Sequence, residues 1–315
     1  MKDGLKKMLE KQQYRFVGEH SASKVCEYVK KSLTSKDVCY KQTFYGIQCH
    51  RCVQMTPTAN HCTNECVFCW RAMDGEFNEG VAIEKEDSPE KIIEGCIKNQ
   101  LDMIVGFKGN EKLDLKKFEE AQKPLHFAIS LSGEPTIYSK LNEMIELLEK
   151  KGITSFVVSN GMFPEKLRTL RPTQLYLSVF APNEKLYNEI SRTRQENAWE
   201  KLMRSVDAVK ELGEKRVRTC LRITLIKNLN MIEAENYAEI IKRANPLSVE
   251  VKSYMWVGFS QLRLAKENMP FHEETKKFAE EIARHCKYSI IDEKKESRVV
   301  LLMKKQDAGR RFLKI

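Results

Sequence analysis

The chain has 315 residues, 42% hydrophobic and 31% charged, which is the balance of a folded globular protein and excludes a disordered or collagen-like chain. No apolar run approaches the ~20 residues of a membrane span, and the start of the chain lacks the apolar segment of a signal peptide, so we expect a cytoplasmic protein without membrane association. The 54 Lys and Arg residues outnumber the 44 Asp and Glu, which favours a polyanionic partner such as nucleic acid.

Helical and strand patterns alternate from about residue 88 onward. Ser88 followed by Pro89 predicts a helix start, because a capping side chain and a proline at the first helical position both favour one. Asn197 predicts the cap of a later helix with Gly213 as its stop, and a further helix is predicted from Met231 to Ala244. Strands are predicted at 125–131, 153–158, 174–180, 218–226 and 248–254, with helices between them and a closing strand pair at 288–291 and 298–303. Apolar strands separated by helices indicate a parallel sheet with right-handed crossovers.

The number of strands limits the architecture. Five strands between residues 125 and 254, with one or two more near the cysteines, are too few for an eight-fold barrel. We therefore expect an α/β fold with a partial (β/α)6-type barrel, and a doubly wound sheet is the alternative. Residues 1–45 are predicted to form an N-terminal helical extension, 46–260 the barrel, and 261–315 a C-terminal extension packed on it, in one compact domain.

Seven of the ten cysteines lie between Cys26 and Cys69, and such crowding in a chain without an export signal points to metal rather than to disulfides. Cys62, Cys66 and Cys69 form a C-x3-C-x2-C triplet. Three thiolates are one short of the four that usually hold a four-iron cluster, which leaves one position open. A zinc site completed by His61 or His50 is the alternative.

A second set of cysteines precedes this triplet. Cys26, Cys39 and Cys52 are spaced thirteen residues apart, and Cys49 is a further member. Three or four of these thiols suffice for a second iron–sulfur cluster, and spacing alone leaves Cys49 among the candidates. The alternative is that several are small buried hydrophobic residues.

The triplet, followed by alternating strands and helices, resembles the radical S-adenosylmethionine (SAM) superfamily. The resemblance implies that Cys62, Cys66 and Cys69 hold a [4Fe–4S] cluster, that SAM binds its open iron, and that reductive cleavage yields a 5′-deoxyadenosyl radical. It also implies that Phe68 shields the cluster. Residues 130–136 lie where family members carry a Gly-Gly-Glu-like motif for the SAM amino group; a βα turn with a solvated Glu is the alternative. The expected SAM-binding residues are Ser132, Gly133, Glu134, Asn160, Ser178 and Asn228.

Within that superfamily the chain resembles the archaeal wyosine-forming tRNA-modifying enzymes, through its second cysteine set and through residues 60–62, 68–71, 131–136 and 254–260. The resemblance implies a second [4Fe–4S] cluster on Cys26, Cys39 and Cys52, with one iron free for pyruvate and Cys49 as an extra cysteine. It implies formation of 4-demethylwyosine from pyruvate and the N1-methylguanosine 3′ of the anticodon of tRNA-Phe. The radical would abstract hydrogen from the N1-methyl group, and the carbon radical would add to pyruvate before decarboxylation and ring closure.

Pyruvate could also be captured by a lysine as a Schiff base, for which Lys41 and Lys252 are the candidates. The resemblance further implies a monomer served by an external electron donor of ferredoxin or flavodoxin type. Candidate tRNA contacts are the basic N-terminal helix, Arg192, Arg194 and residues 310–314, with Trp70, Trp256 and Phe259 as stacking groups. Two alternatives remain: a radical SAM enzyme with an auxiliary cluster acting on a peptide or metabolite, and a zinc-dependent RNA-binding module.

Overall fold

The computed structural model describes residues 2–73 and 75–314. The chain forms two compact units, each assembled from separate stretches of sequence. The first comprises Met1–Cys62, Glu76–Val157 and Leu170–Thr173, and the second comprises Thr63–Gly75, Val158–Thr169 and Gln174–Ile315. None of the helices in the described residues is long and apolar enough to cross a membrane. The domain boundaries expected at residues 45 and 260 stay a prediction.

The first unit combines an antiparallel edge with a parallel sheet. Its strands, numbered along the chain, are β1 (Arg15–Val17), β2 (Ser21–Ser23), β3 (Cys52–Thr56), β4 (His126–Ile129) and β5 (Thr154–Ser159). They are ordered β1-β2-β3-β4-β5, antiparallel up to β3 and parallel beyond it. The helices are α1 (Asp3–Lys11), α2 (Glu27–Thr34), α3 (Tyr40–Tyr45), α4 (Pro89–Ile104), α5 (Leu115–Ala121) and α6 (Leu141–Lys150).

The second unit continues the alternation of strands and helices. Its strands are β6 (Gln174–Val179), β7 (Arg218–Leu225), β8 (Ser248–Ser253), β9 (Ser289–Lys294) and β10 (Val299–Met303). β6, β7 and β8 are parallel, and β10 lies antiparallel between β8 and β9. The helices are α7 (Pro164–Thr169), α8 (Glu184–Ser191), α9 (Ala198–Glu214), α10 (Ala234–Ala244) and α11 (His272–Arg284).

The burial of the parallel strands accounts for their sequence patterns. Leu221, Ile223 and Leu225 are fully buried on one face of β7, while Arg222 and Thr224 alternate with them on the other. Within each unit the parallel strands follow one another in chain order, without the reversal that a doubly wound sheet has. All five predicted strands and the closing pair are present, which confirms the α/β class.

Three predicted helix ends differ from the structure. Gly213, predicted to stop α9, lies inside it, because the helix runs on to Glu214. Asn197 does precede α9, but its backbone is left-handed and its side chain makes no capping hydrogen bond. The helix predicted from Met231 begins only at Ala234, since Glu233 before it is also left-handed.

Candidate active site

The cysteines of the upstream set begin secondary-structure elements of the first unit. Cys26 directly precedes α2, Cys39 directly precedes α3, and Cys52 is the first residue of β3. The hydrophobic cluster of Val29, Leu33 and their neighbours packs against Cys26 and Cys52. Helix N-termini favour negative charge, and at Cys26 and Cys39 this effect opposes the cost of burying a thiolate.

These three thiols lie close enough together to influence one another's ionisation. Burial raises the pKa of Cys26, and it raises the pKa of Cys39 to about 12, with the neighbouring Cys26 adding to the increase. Burial likewise raises the pKa of Cys52, whereas the positive charge of Lys41 opposes the increase at all three thiols. Backbone N–H groups of Tyr28 and Val29 hydrogen-bond the Cys26 sulfur. Thiols with backbone donors and a nearby cation are the donor set of an iron–sulfur cluster, and the residues present fit one.

Cys49 lies beside the same group of thiols but has partners of its own. Its thiol donates to the carbonyl of Tyr28 at 3.9 Å, and its backbone N–H donates to Oε1 of Gln42 at 3.1 Å. The side chain is buried. The thiol and the backbone N–H of Cys49 therefore both have hydrogen-bond partners within the chain.

Lys41 and Lys252 differ in their surroundings. Lys41 is only 8% exposed, and its Nζ lies 4.9 Å from the centre of the fully buried Phe156 ring. Lys252 lies on β8 in the second unit, where its Nζ donates to the carbonyl of Ser297 at 2.9 Å. The structure thus brings Lys41 into the group of upstream cysteines, whose pKa values its charge lowers.

The Ser-Gly-Glu segment after β4 folds tightly against the residues that lead into Cys62. Gly133 has a φ of +69°, and a Cβ there would lie 1.9 Å from the carbonyl oxygen of Thr58 and 2.6 Å from that of His61. Glu134 donates its backbone N–H to the His61 carbonyl at 2.8 Å. No substituent fits at position 133, so glycine is required there.

The polar side chains of this segment are buried. Glu134 is 2% exposed, and its Oε1 accepts hydrogen bonds from the backbone and the hydroxyl of Thr136. The solvated Glu of the alternative interpretation is therefore wrong. Ser132 is also buried, and its hydroxyl has no hydrogen-bond partner among the described residues. Buried polar atoms without partners are rare, and here they indicate a polar ligand.

The loop after Cys62 is fixed in the second unit by backbone hydrogen bonds. The N–H groups of Glu65 and Val67 donate to the carbonyls of Ser191 and Ile190 at 3.0 and 2.9 Å, and the Cys69 N–H donates to the Cys66 carbonyl at 2.9 Å. Phe68 packs edge-on against Phe180 with ring centres 5.1 Å apart. Cys62, Cys66 and Cys69 are all half-buried, as ligands of a cofactor that must also meet a substrate would be.

Asn64, inside the triplet, is a residue that the sequence did not reveal as special. It is 2% exposed, and neither its amide oxygen nor its amide nitrogen has a hydrogen-bond partner among the described residues. An amide of this kind costs free energy to bury unless something else hydrogen-bonds it. Its position between two cysteines of the motif was the only signal in the sequence.

The remaining predicted SAM-binding residues have different environments. Asn160 bridges its loop to the triplet, since its Nδ2 donates to the Thr63 hydroxyl at 2.8 Å. Ser178 is half-buried on β6. Asn228 is exposed in a left-handed turn, whereas Asn230, two residues on, is fully buried and bonds the carbonyls of Phe180 and Thr224 at 2.8 Å.

The predicted tRNA contacts are distributed over both units. In the first unit the lysines of α1 are exposed. In the second unit Arg194 is exposed and pairs with Glu65 at 2.8 Å, and Trp70 is 41% exposed. The indole N–H of Trp256 donates to the Leu264 carbonyl at 2.8 Å, which fixes that ring.

Of the two histidines considered as zinc ligands, His50 already has a side-chain partner. Its Nε2 lies 2.7 Å from Oε2 of Glu120. Over residues 2–73 and 75–314, no three His, Cys, Asp or Glu side chains form a group that could hold a single metal ion such as zinc.

Two family models match the chain in adjacent regions. The model described as radical SAM superfamily matches residues 56–241, and the one described as wyosine base formation matches residues 243–304. The first region contains the cysteine triplet and the Ser-Gly-Glu segment, and the second begins near the end of α10.

Similar proteins cover nearly the whole chain. An S-adenosyl-L-methionine-dependent tRNA 4-demethylwyosine synthase of Pyrococcus abyssi is 44% identical over 96% of this chain and 90% of that protein. The synthase of Methanocaldococcus jannaschii is 40% identical over 94% of each chain. The human synthase TYW1 is 38% identical over 95% of this chain, which spans 40% of that protein.

Solved structures agree with these sequence relationships. A structure of TYW1 with a lysine–pyruvate adduct bound has a TM-score of 0.87 and 36% identity, with coverage of 99% of this chain and 98% of the other. A crystal structure of archaeal TYW1 has a TM-score of 0.82 and 32% identity, with coverage of 99% and 100%. These matches confirm the expected radical SAM fold and exclude the peptide-modifying and zinc-binding alternatives. The chain belongs to the radical SAM superfamily and, within it, to the family of tRNA 4-demethylwyosine synthases.

Proposed function

We propose that this chain forms 4-demethylwyosine in tRNA-Phe from pyruvate and the N1-methylguanosine 3′ of the anticodon. Its archaeal relatives carry the name of that synthase over almost their full length. The structural observation that carries the proposal is the position of Lys41. This lysine is buried, and its positive charge lowers the pKa values of the Cys26, Cys39 and Cys52 thiols.

Cys62, Cys66 and Cys69 are the proposed ligands of a [4Fe–4S] cluster that binds SAM at its open iron. When bound, cluster and SAM together supply the 5′-deoxyadenosyl radical that takes hydrogen from the N1-methyl group. The chain holds the thiolates on a backbone fixed at Val67 and Cys69 by hydrogen bonds. A fixed backbone keeps the ligand geometry constant during electron transfer.

SAM is proposed to bind along the Ser-Gly-Glu segment. The buried Ser132 hydroxyl, the backbone beside Gly133 and the Glu134 carboxylate are suited to an ammonium group. Within the triplet loop, the buried amide of Asn64 is proposed to bind a polar group of a bound ligand. Asn160 is proposed to position the loop through its hydrogen bond to Thr63, and Ser178 and Asn228 are the further proposed SAM-binding residues.

Cys26, Cys39 and Cys52 are the proposed ligands of a second [4Fe–4S] cluster. Their mutual electrostatic influence supports a shared site, and the partners of Cys49 support its exclusion from the ligand set. Three protein ligands leave one iron available for pyruvate.

Lys41 is the proposed pyruvate-binding amine. In the unprotonated state its nitrogen attacks the keto carbon of pyruvate, a C–N bond forms, and the keto oxygen leaves as water, which gives a Schiff base. The similar TYW1 structure with a lysine–pyruvate adduct bound supports capture by an amine of this kind. The Nζ of Lys252 is bound to a main-chain carbonyl, which disfavours it for the same role.

The remaining parts of the proposal concern the partners. The exposed lysines of α1 together with Arg192, Arg194 and the 310–314 tail are proposed to contact tRNA phosphates. Trp70, a residue that is 41% exposed, is the proposed stacking group. A ferredoxin- or flavodoxin-type protein is proposed to supply electrons to a cytoplasmic monomer. The extensions at residues 1–45 and 261–315 are proposed to flank a barrel at 46–260.

The deciding experiment combines iron analysis with an activity assay on anaerobically reconstituted protein. We expect about eight irons per chain, and conversion of N1-methylguanosine-containing tRNA-Phe that requires pyruvate, SAM and reductant. C66A should lose deoxyadenosine formation, whereas C39A should keep some abortive SAM cleavage but lose ring formation. Pyruvate-independent product, or full ring formation by C39A, would overturn the proposal.

A further inference from the structure

The loop that carries Cys66 and Cys69 is held at its C-terminal end by a segment far along the chain. We call residues 67–70 the second arm of the loop. Its partner is a 3₁₀ turn at Gly258–Leu262 and the residue after it, Arg263. Both parts belong to the second unit, and the partner lies in the region matched by the wyosine base formation model.

Arg263 binds the second arm through two different guanidinium nitrogens. Its Nε donates to the Val67 carbonyl at 3.1 Å, and its Nη2 donates to the Cys69 carbonyl. These carbonyls flank Phe68, so one rigid planar group fixes the backbone on both sides of it. A guanidinium can hold two acceptors in a defined geometry, which a lysine ammonium cannot.

The 3₁₀ turn touches the next residue of the arm. The Phe259 N–H donates to the Trp70 carbonyl at 3.2 Å. Gly258 has a φ of +58°, and a Cβ on it would lie 2.5 Å from the same Trp70 oxygen. The close approach of the turn to Trp70 therefore depends on glycine. Together, Arg263 and Phe259 hydrogen-bond the carbonyls of three of the four residues 67–70.

We propose that Arg263 is a positioning residue that sets the orientation of the Cys69 thiolate on the cluster. The Cys69 peptide is held on one side by its N–H bond to Cys66 and on the other by its carbonyl bond to Arg263. Rotation about the Cys69 backbone would break one of the two. Arg263 lies in the region matched by the wyosine base formation model, and Cys69 lies in the region matched by the radical SAM model. A residue of the first region thereby orients a proposed cluster ligand of the second. This inference rests on the proposed function, because it takes Cys69 to be a cluster ligand.

The test compares R263A, R263K and the control R284A. Arg284 lies on α11 with 69% of its side chain exposed, and its ion pair with Glu281 lies one helical turn away. In metal-free protein, amide hydrogen exchange of peptides covering residues 64–72 should quicken at least tenfold in R263A and remain unchanged in R284A. Unfolding temperature, followed in parallel, separates local opening from loss of the fold.

The second measurement is spectroscopic. In reconstituted protein, the signal to follow is the EPR signal of the reduced cluster on Cys62, Cys66 and Cys69, which changes when SAM is added. Both the signal and its change should be altered in R263A and partly restored by added methylguanidinium. R263K should resemble R263A, because one ammonium cannot reach both carbonyls in the same geometry. Unchanged exchange and an unchanged EPR signal in R263A would overturn the inference.

The variant C66A separates this inference from the proposed function. If C66A retains the SAM-responsive EPR signal, the ligand assignment is wrong, and the role of Arg263 in positioning a ligand falls with it. If C66A loses the signal while R263A behaves as wild type, the ligand assignment stands and the inference alone is wrong.

Discussion

The side-chain nitrogen of Lys41 lies 4.9 Å from the centre of the Phe156 ring, which is itself fully buried. An aromatic face attracts the protonated amine and excludes water from one side of it. In the proposed capture of pyruvate the amine must first lose its proton, and the exclusion of water from that side would slow hydrolysis of the resulting Schiff base.

Trapping with borohydride tests Lys41 directly. We expect wild-type protein incubated with pyruvate and borohydride to gain the mass of one reduced pyruvate on Lys41, located by peptide mass spectrometry. K41M should show no adduct and no ring formation. K31M, which replaces an exposed lysine of the same unit, should behave as wild type.

K252M provides the comparison with the other candidate. Because Lys252 is bound to the Ser297 carbonyl, K252M should still form the Lys41 adduct. An adduct in K41M that disappears in K252M would reverse the assignment.

The contacts of Cys49 predict that its removal leaves the clusters intact. C49A should retain about eight irons per chain, whereas C39A should fall to about four. The measurement is iron and sulfide content of anaerobically reconstituted protein. About four irons in C49A would make Cys49 a ligand and contradict the proposed set.

Gly133 and Gly152 offer a matched pair of substitutions. Both have a left-handed backbone, with φ of +69° and +68°, but a Cβ at Gly152 meets nothing within 4 Å, while at Gly133 it meets the Thr58 carbonyl. G152A should therefore cost about 1 kcal/mol of unfolding free energy, for the backbone conformation alone. G133A should cost at least about 3 kcal/mol, because a main-chain clash is added.

Urea unfolding of the two glycine variants measures the difference. SAM binding by G152A should equal that of wild type, and SAM binding by G133A should be lost or severely weakened. Equal destabilisation in both variants would show that the Thr58 segment yields to the methyl group.

Arg222 and Glu250 form a buried ion pair across β7 and β8. Their Cα atoms are register partners, Nε lies 3.0 Å from Oε2, and Glu250 is fully buried. R222M removes the guanidinium from beside that buried carboxylate and should cost about 3–5 kcal/mol, as broken buried pairs do. The double variant R222M/E250L should recover a large part of the loss.

Arg243 supplies the control for this pair. It binds Asp207 through two nitrogens at 2.7 Å, but 48% of its side chain is exposed. R243M should cost at most about 1 kcal/mol in the same urea experiment. Similar losses in R222M and R243M would mean that burial does not decide the strength of these pairs.

Local patterns are sufficient to predict the strands and the cysteine motif, because both are encoded in consecutive residues. Strand β7 alternates apolar and polar side chains, and the triplet spans only eight residues, Cys62–Cys69. The six-residue helix α3 escapes prediction, since it is too short to show a period. The sequence favours Asn228 where Asn230 is the buried residue, because a turn gives no periodicity by which to choose between them.

The roles of Asn64 and Arg263 could not be predicted from sequence. Arg263 contacts residues that lie 196 and 194 positions earlier in the chain, and no local pattern encodes such a pairing. Asn64 is recognisable only through atoms that its neighbours leave without hydrogen bonds.

The long separation between Arg263 and Cys69 also orders events during synthesis. Cys26, Cys39 and Cys52 span fewer than thirty residues and can come together soon after they leave the ribosome. The Cys69 peptide acquires its Arg263 hydrogen bond only after almost two hundred further residues have been made. A nascent chain released before residue 263 would therefore present the triplet on a loop without its distal support, and iron delivered at that stage would meet ligands that are not yet fixed.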